Sequence, residues 1–211
     1  MARNQAETPL TLALTTKGVR ATPLDVFKLA RKRWLRSERL NLNNIADEIG
    51  INRATLFRWV GTKELLLAEI IWSVYEPTLE QAKVHAKALV KGEGPKYIAE
   101  VCRYTMTAVL NSKPLQKFVQ EDPQFALRIL TSTRLLQERR LEAFRILLED
   151  QVQKGYLSPP LAIESLALLL IRMNESFVYS DLIVGREPAI DEACKAICIL
   201  AGGTPPAKES A

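Results

Sequence analysis

The sequence predicts an all-α protein in which an N-terminal three-helix unit of helix-turn-helix type precedes a larger C-terminal helical domain. Apolar residues recur at helical spacing along most of the chain, and strand-like alternation of Val and Thr is scarce. The 211 residues contain only nine Gly and eleven Pro. A chain of this length can bury a substantial core in one or two domains.

The N-terminal helices have recognisable start and stop residues. Thr22 followed by Pro23 predicts the start of a first helix, because threonine caps helices and proline favours the first helical position. Gly50 ends a second, short helix, and Asn52 caps a third that covers residues 53–60. Two short helices joined by a few residues that include a glycine form a helix-turn-helix.

The positive charge is concentrated in the first third of the chain. Residues 1–72 contain twelve Lys and Arg against seven Asp and Glu, whereas residues 73–211 contain seventeen of each. The whole formal charge of +5 therefore lies in the part that holds the helix-turn-helix. A solvated basic face is one explanation, and a surface that binds a polyanion such as DNA is the other.

The third helix carries the best candidates for DNA contact. Arg53 and Arg58 can bind bases or phosphates, while Thr55 and Phe57 offer a methyl group or a ring to thymine. Trp59 can equally pack inside the protein or lie against the sugar-phosphate backbone. The other candidates for phosphate contact are Arg20 ahead of the first helix, Asn43 and Asn44 at the start of the second, and Lys63 after the third.

Four short segments also stand in a familiar register: Ile45-Ala46, Gly50-Ile51-Asn52, Thr55-Leu56-Phe57 and Lys63-Glu64-Leu65. Over residues 20–70 they resemble the signature of the TetR family of bacterial regulators. Over the C-terminal two-thirds the resemblance is architectural. It implies a homodimeric, ligand-responsive repressor that binds a double-stranded DNA operator and responds to a small effector.

Three positions depart from the pattern of that family. Phe57 stands where tyrosine is usual, so a phenolic phosphate contact is lost. Trp59 stands where histidine or another polar residue is common, and Val60 replaces a usual phenylalanine. A weaker resemblance to the QsdR-like subgroup, associated with control of lactone degradation, implies a lactone as the effector.

Further helices are predicted in the C-terminal region, several of them opened by proline. They start at Thr62, Pro95, Pro114, Asp122, Thr131, Ser158 and Ala189, and three of them are expected to end at Lys154, Gly185 and Ala201. Pro77 is predicted to break or kink the fourth helix, because proline removes a backbone donor and clashes with the preceding turn. A run of charged residues is expected to form a solvated face: Glu138, Arg139, Arg140 and Glu142.

The helix predicted to end at Gly185 is apolar nearly all round, so it must be covered on both sides. A second subunit is the natural partner for it and for the last helix. Polar residues interrupt the apolar surface of the helix predicted to end at Gly185. Arg172 and Glu175 can pair with each other or across the dimer. Alternatively, Asn174 or Glu175 offers a hydrogen bond inside an apolar cavity.

The second alternative places a small, mainly apolar effector in the C-terminal domain. The candidate ligand-binding residues are Tyr104, Phe125, Phe144, Met173, Asn174, Glu175, Phe177 and Tyr179. The predicted organisation is a flexible arm over residues 1–20, a helix-turn-helix domain over 21–68, an effector-binding and dimerisation domain over 69–203, and a tail over 204–211.

Other function classes are less consistent with the sequence. No apolar run is long enough for a signal peptide or a membrane span. The three cysteines have no other metal-ligating residues near them in the sequence, which favours a reducing cytoplasm. An enzyme or carrier is not expected, because the chain has a single histidine, His85, and no paired-carboxylate, metal or phosphate-loop motif. No cofactor is predicted. A transcriptional activator and a non-specific architectural DNA-binding protein stay open as alternatives.

Overall fold

The structure is a computed structural model of the 211-residue chain and describes residues 21–90 and 93–204. The described residues form helices and connecting turns without a strand, so the predicted all-α fold is confirmed. Among them, no helix combines the length and the apolarity needed to cross a bilayer. The predicted arm, with Arg20, and residues 205–211 of the predicted tail lie outside the described part.

Three short helices form the N-terminal unit: α1 (Pro23–Leu35), α2 (Leu42–Ile49) and α3 (Arg53–Val60). Local hydrogen bonds fix their limits. Thr22 and Asp25 exchange hydrogen bonds in a capping box at the start of α1. Gly50 ends α2 in the left-handed conformation, with φ of 77°, which glycine adopts without steric cost. The predicted helix-turn-helix is therefore present.

The C-terminal domain contains the remaining helices: α4 (Lys63–Val90), α5 (Pro95–Leu110), α6 (Lys113–Glu121), α7 (Pro123–Ser132), α8 (Arg134–Gln153), α9 (Ile163–Glu175), α10 (Asp181–Val184) and α11 (Ile190–Leu200). Helix α4 packs along α5, α5 packs against α11, and α8 packs against α9. A π-helical turn, Ser176–Ser180, joins α9 to α10. Extended backbone at Thr133 separates α7 from α8, so the long helix starts later than predicted.

One continuous hydrophobic core runs from the N-terminal unit into the C-terminal domain. Val26, Ile45 and Leu56 are fully buried and bring α1, α2 and α3 together. Leu66, near the start of α4, joins the same cluster. The predicted domain boundary after residue 68 therefore falls inside one continuous helix, and the domain limits stay a prediction.

Helix α4 continues through Pro77, so the predicted break is wrong, while the alternative of a kink stays a prediction. Proline leaves the carbonyl group four residues earlier without its usual donor. That carbonyl belongs to Ser73, and at the next residue the Thr78 hydroxyl donates to the Val74 carbonyl at 2.8 Å. Ile70 and Leu79 are buried on either side of the proline, and their packing holds both halves of the helix against the core.

Replacing Pro77 by alanine is expected to stabilise the protein. Alanine restores the backbone donor, and little packing is lost because Pro77 is exposed. We expect the free energy of unfolding, measured by urea denaturation, to rise by about 1–2 kcal/mol. Glu76→Ala, at the neighbouring exposed position, is the control and should change it by less than about 0.5 kcal/mol. Equal changes in the unfolding free energy of both variants would contradict a destabilising effect specific to Pro77.

Candidate nucleic-acid interface and ligand cavity

Helix α3 has one face fixed in the core and another open to solvent. Asn52 caps the helix, because its side-chain oxygen accepts a hydrogen bond from the Thr55 N–H at 2.7 Å. Leu56 is fully buried and anchors the inner face. Arg53 and Arg58 lie exposed on the outer face. A capped helix that presents two arginines in this way has the form needed to enter a major groove.

The aromatic residues of α3 support this outer face. The Arg53 guanidinium lies over the Phe57 ring, with its carbon 5.3 Å from the ring centroid, so a cation–π interaction orients the charge. Thr55 and Phe57 are half-buried. Trp59 is half-buried against the hydrophobic core, which is the internal alternative predicted for it. Contact between these residues and DNA stays a prediction.

Asn43 and Asn44 are exposed at the start of α2, where a phosphate contact is predicted. Their backbone N–H groups both donate to the side-chain oxygen of Asn41, at 2.9 and 3.4 Å. These backbone groups are therefore engaged in the helix cap. The side-chain amides of Asn43 and Asn44 are what remains to contact a phosphate.

Lys63, predicted to contact DNA, and Phe125, predicted to contact the ligand, lie against each other. The Lys63 ammonium nitrogen lies 5.4 Å from the centroid of the Phe125 ring, and the Arg128 guanidinium carbon lies 5.2 Å from it. The same ring packs edge-on against Phe118. Phe125 therefore lies at the junction between α7 and the start of α4. It is not part of the cavity wall described next, because α7 turns this face toward the N-terminal unit.

A cavity opens between the N-terminal unit and the C-terminal domain. Its enclosed volume is about 70 Å³, and the space including the opening to solvent is about 570 Å³. Trp34 of α1 forms part of its wall, so the cavity contacts the N-terminal unit directly. The apolar part of the wall includes Ile71, Val74, Val109, Leu115, Leu130 and Leu136.

A buried ion pair lies at the polar end of this cavity. Arg140 of α8 donates to Glu175 of α9 at 2.8 Å, and both side chains are 6% exposed. The other carboxylate oxygen accepts from Arg172 at 2.7 Å, and Gln137 donates at 2.8 Å to the oxygen that Arg140 contacts. The carboxylate is thus well paired, as burial of a charge requires. The predicted pairing of Arg172 with Glu175 is confirmed.

The prediction that Arg140 belongs to a solvated face is wrong. Leu136, Arg140 and Phe144 follow one another at four-residue spacing on α8, so they share one face, and all three are buried. Glu138 and Glu142, predicted on the same solvated face, are exposed. The apolar residues four positions before and after Arg140 were the signal in the sequence that could have identified it.

Two of the predicted ligand residues line the main cavity or the one that adjoins it, and Phe125 lines a separate cavity together with Trp34 and Lys63. Tyr179 contributes to the main cavity, and Asn174 lines a smaller adjoining one, whose enclosed volume is about 20 Å³. Tyr75, Arg140 and Tyr179 belong to the walls of both. Glu175 does not line either cavity, because its carboxylate is engaged in the ion pair behind the wall.

The other predicted ligand residues lie away from these cavities. Phe144 is fully buried in the core. Tyr104 lies beside exposed residues of α4. Met173 and Phe177 are half-buried and pack against the hydrophobic core. Helical spacing alone does not distinguish a cavity wall from a core position or an outer surface.

The polar end of the cavity holds one buried cation among neutral hydroxyl groups. Burial raises the pKa of Tyr75 to about 12 and also raises the pKa of Tyr179, although the Arg140 charge opposes both shifts. Burial disfavours the charge of Arg140, but Tyr179, Tyr75 and Glu175 together hold its pKa above the usual value. In the described part of the chain, no group of three His, Cys, Asp or Glu is placed to hold a metal ion.

Removing the charge of Glu175 is expected to destabilise the protein strongly. Glu175→Gln keeps the shape but leaves Arg140 as a buried cation without its counter-ion, which costs about 3 kcal/mol or more. We expect a loss of this size in the free energy of unfolding, measured by urea denaturation. Arg172→Gln is the matched control, since Arg172 is 52% exposed, and it should cost less than about 1 kcal/mol. Equal losses of unfolding free energy in the two variants would contradict a larger contribution from the buried Arg140–Glu175 pair than from the exposed Arg172.

Comparison with known proteins relates this architecture to one family. Residues 93–202 match the family model described as Tetracyclin repressor-like, C-terminal domain. The transcriptional repressor QsdR of R. erythropolis, from the TetR family, is similar in structure, with a TM-score of 0.78, 28% identity, and coverage of 86% of this chain and 95% of that one. No curated protein matches the chain.

A second structure shares the fold. The TetR family repressor AlkX of Dietzia sp. strain DQ12-45-1b, implicated in biodegradation of n-alkanes, has a TM-score of 0.57 and 16% identity, and covers 88% of this chain and 96% of its own. The family model spans more than half of the present chain, and the QsdR similarity includes the helix-turn-helix. The resemblance found in residues 20–70 is therefore confirmed: the chain belongs to the TetR family of helix-turn-helix, DNA-binding transcriptional regulators.

Proposed function

We propose that this protein is a homodimeric repressor that binds a specific double-stranded DNA operator and is released by a small, mainly apolar effector. The observation that carries the proposal is the position of Trp34. This residue belongs to α1, which packs against the recognition helix α3, and its side chain also lines the ligand cavity. A ligand in the cavity therefore contacts the N-terminal unit directly.

Operator binding is assigned to α3. Exposed Arg53 and Arg58 supply charge and paired donors for guanine or phosphate, and Thr55 and Phe57 border them with apolar surface. In a dimer, two such helices enter successive major grooves of a near-palindromic site. Because the formal charge of +5 lies in residues 1–72, affinity should fall steeply as salt rises and counterion release becomes less favourable.

Release by an effector requires a mechanical link between the cavity and α1. Trp34 packs edge-on against Phe118 of α6, with ring centroids 5.0 Å apart. Arg31 donates to the Ser73 hydroxyl of α4 at 2.9 Å. An effector that displaces Trp34 moves α1 against α4 and so changes the spacing of the two recognition helices in the dimer. This coupling is reciprocal, because DNA then weakens effector binding by the same factor.

Homodimerisation is assigned to α9, α10 and α11. These neighbouring helices expose large apolar side chains in the single chain: Leu168, Leu169, Ile183, Val184 and Ile199. Apolar surface concentrated in this way is typical of an interface. A second copy would cover it with the same helices in a twofold-symmetric contact.

The effector is proposed to be small and mainly apolar because apolar side chains form most of the cavity wall. A lactone is the first candidate, following the QsdR-like resemblance. The proposed domain limits are residues 21–68 for DNA binding and 69–203 for effector binding and dimerisation, with α4 shared between them. No enzymatic activity is proposed.

Arg58→Ala is expected to weaken operator binding about tenfold or more, because one bidentate arginine–guanine contact is worth about 1–3 kcal/mol. The measurement is fluorescence anisotropy on DNA from upstream of the gene and neighbouring operons, with scrambled DNA as competitor. Arg134→Ala is the control, since Arg134 is an exposed arginine of the C-terminal domain. It should leave the affinity unchanged.

The same assay separates the alternatives. Equal affinity for genomic and scrambled DNA would contradict operator recognition and indicate an architectural DNA-binding protein. Unchanged affinity in Arg58→Ala would remove Arg58 from the interface. A reporter whose transcription falls when the gene is deleted would indicate an activator instead of a repressor.

Leu169→Glu is expected to convert the dimer into a monomer, because the new charge would be buried in an apolar interface without a partner. Light scattering after gel filtration gives the mass, and circular dichroism checks that the variant stays helical. Val84→Glu is the matched control, since Val84 is an exposed apolar residue of α4 outside the proposed interface. A helical Leu169→Glu variant that stays dimeric would contradict the assignment.

A further inference from the structure

Three buried polar atoms have no hydrogen-bond partner within residues 21–90 and 93–204. They are Nε of Arg140 and both terminal atoms of the Asn174 side chain, Nδ2 and Oδ1. Each of these residues is only 5% exposed. Both line the smaller cavity, and Arg140 also belongs to the wall of the main cavity. Both residues with unpaired atoms therefore border the smaller cavity, which shares part of its wall with the main one.

Unpaired polar atoms in the interior are unfavourable, and folded proteins rarely leave several together without a role. The two orphan nitrogens, on Arg140 and Asn174, are donors, and the Asn174 oxygen is an acceptor. The Cys102 thiol lies close enough to Asn174 to interact weakly with its amide. Exchanging the oxygen and nitrogen of the amide would not change the number of donors and acceptors in this region. The region thus offers two donors, one of them on a cation, and one acceptor.

The local charge favours an oxygen acceptor with negative character. Glu175 is the carboxylate paired with both Arg140 and Arg172, so two cations share a single anion. Tyr75 and Tyr179 are neutral neighbours of the guanidinium. A cationic ligand would meet the excess positive charge of Arg140, whereas a carboxylate or carbonyl oxygen would accept its remaining N–H in a charge-assisted hydrogen bond.

The other end of the cavity is different in character. Apart from Arg140, its tyrosine neighbours and the hydroxyl residues Thr78 and Ser112, the wall consists of Trp34 and aliphatic side chains of α4, α5, α6, α7 and α8, including Val74, Val109 and Leu115. A molecule that satisfies both ends has a polar head and an apolar tail. Its tail would reach the Trp34 ring, which is the part of the wall that belongs to the N-terminal unit.

We propose that the cavity binds an amphipathic small molecule whose head carries a carbonyl or carboxylate oxygen. This oxygen accepts hydrogen bonds from Arg140 Nε and Asn174 Nδ2, and the apolar tail lies toward Trp34. The inference rests on the proposed function only in naming this molecule as the effector. Binding itself follows from the chemistry of the cavity.

The test compares three probes with the same eight-carbon tail and different heads: octanoate, methyl octanoate and octyltrimethylammonium. Binding to the full chain is measured by isothermal titration calorimetry and by the change in tryptophan fluorescence, since Trp34 lines the cavity. We expect octanoate or methyl octanoate to bind at least about tenfold more tightly than the cationic probe. Which of the two binds better distinguishes a carboxylate head from an ester-like carbonyl head.

Asn174→Leu is the variant best suited to test the head contact, because leucine is similar in size and removes both unpaired atoms of the amide. We expect it to keep or raise the melting temperature and to weaken binding of the preferred probe about tenfold. Arg140→Met should weaken it by as much or more, if the variant folds. Arg134→Met, an exposed change on the same helix, is the control and should bind as the parent does.

Three results would overturn the proposal: no binding of either oxygen-headed probe up to its solubility limit, equal binding of all three probes, or unchanged binding in a folded Asn174→Leu variant. Operator binding by the same preparations keeps this test separate from the proposed function. Specific DNA binding without probe binding would contradict the proposed ligand and leave the proposed repressor function standing. Probe binding that depends on Asn174, without DNA binding, would contradict the proposed repressor function and leave the proposed ligand standing.

Discussion

The buried ion pair between Arg140 and Glu175 is the constraint on which the cavity depends. Two opposite charges in the interior are tolerated only when geometry and surrounding hydrogen bonds are good. Here Gln137 and Arg172 complete the pairing of the carboxylate, so α8 and α9 have one favoured relative position. That position also fixes the guanidinium at the inner end of the cavity. The interaction that sets the packing of two helices thus sets the chemistry of the site.

Helix α4 brings this site into contact with the N-terminal unit. Ile71, Val74 and Tyr75 of α4 form part of the cavity wall, while Ser73 accepts the hydrogen bond from Arg31 of α1. A single helix therefore has one face in the cavity and another against the DNA-reading unit. Its interior proline removes one backbone hydrogen bond, and a helix bends at lower cost where that bond is missing. Small movements at the cavity can pass to α1 through this helix.

The recognition helix uses a different combination of residues from the usual family pattern. Phe57 cannot make the phosphate contact of a tyrosine hydroxyl, but its ring lies beneath the Arg53 guanidinium. The ring therefore limits the orientations of an exposed arginine, which lowers the entropy that arginine loses on binding. The absence of the tyrosine hydroxyl is thus accompanied by a more restricted Arg53 side chain, whose contact with DNA stays a prediction. The net positive charge of the N-terminal third favours attraction to the phosphates of DNA, and this attraction does not depend on the base sequence.

The sequence by itself determined the helices of the N-terminal unit, because their limits depend on hydrogen bonds between residues two to four positions apart. Asn52, Gly50 and Thr22 act in this way, and the residues that perform these roles are few and recognisable. Only the tertiary structure decided that Arg140 is buried and that Phe125 packs beside Lys63. Both outcomes depend on which helix faces meet, and partners distant along the chain set those faces. Local spacing shows which residues share a helix face, but it does not identify the partners that cover that face.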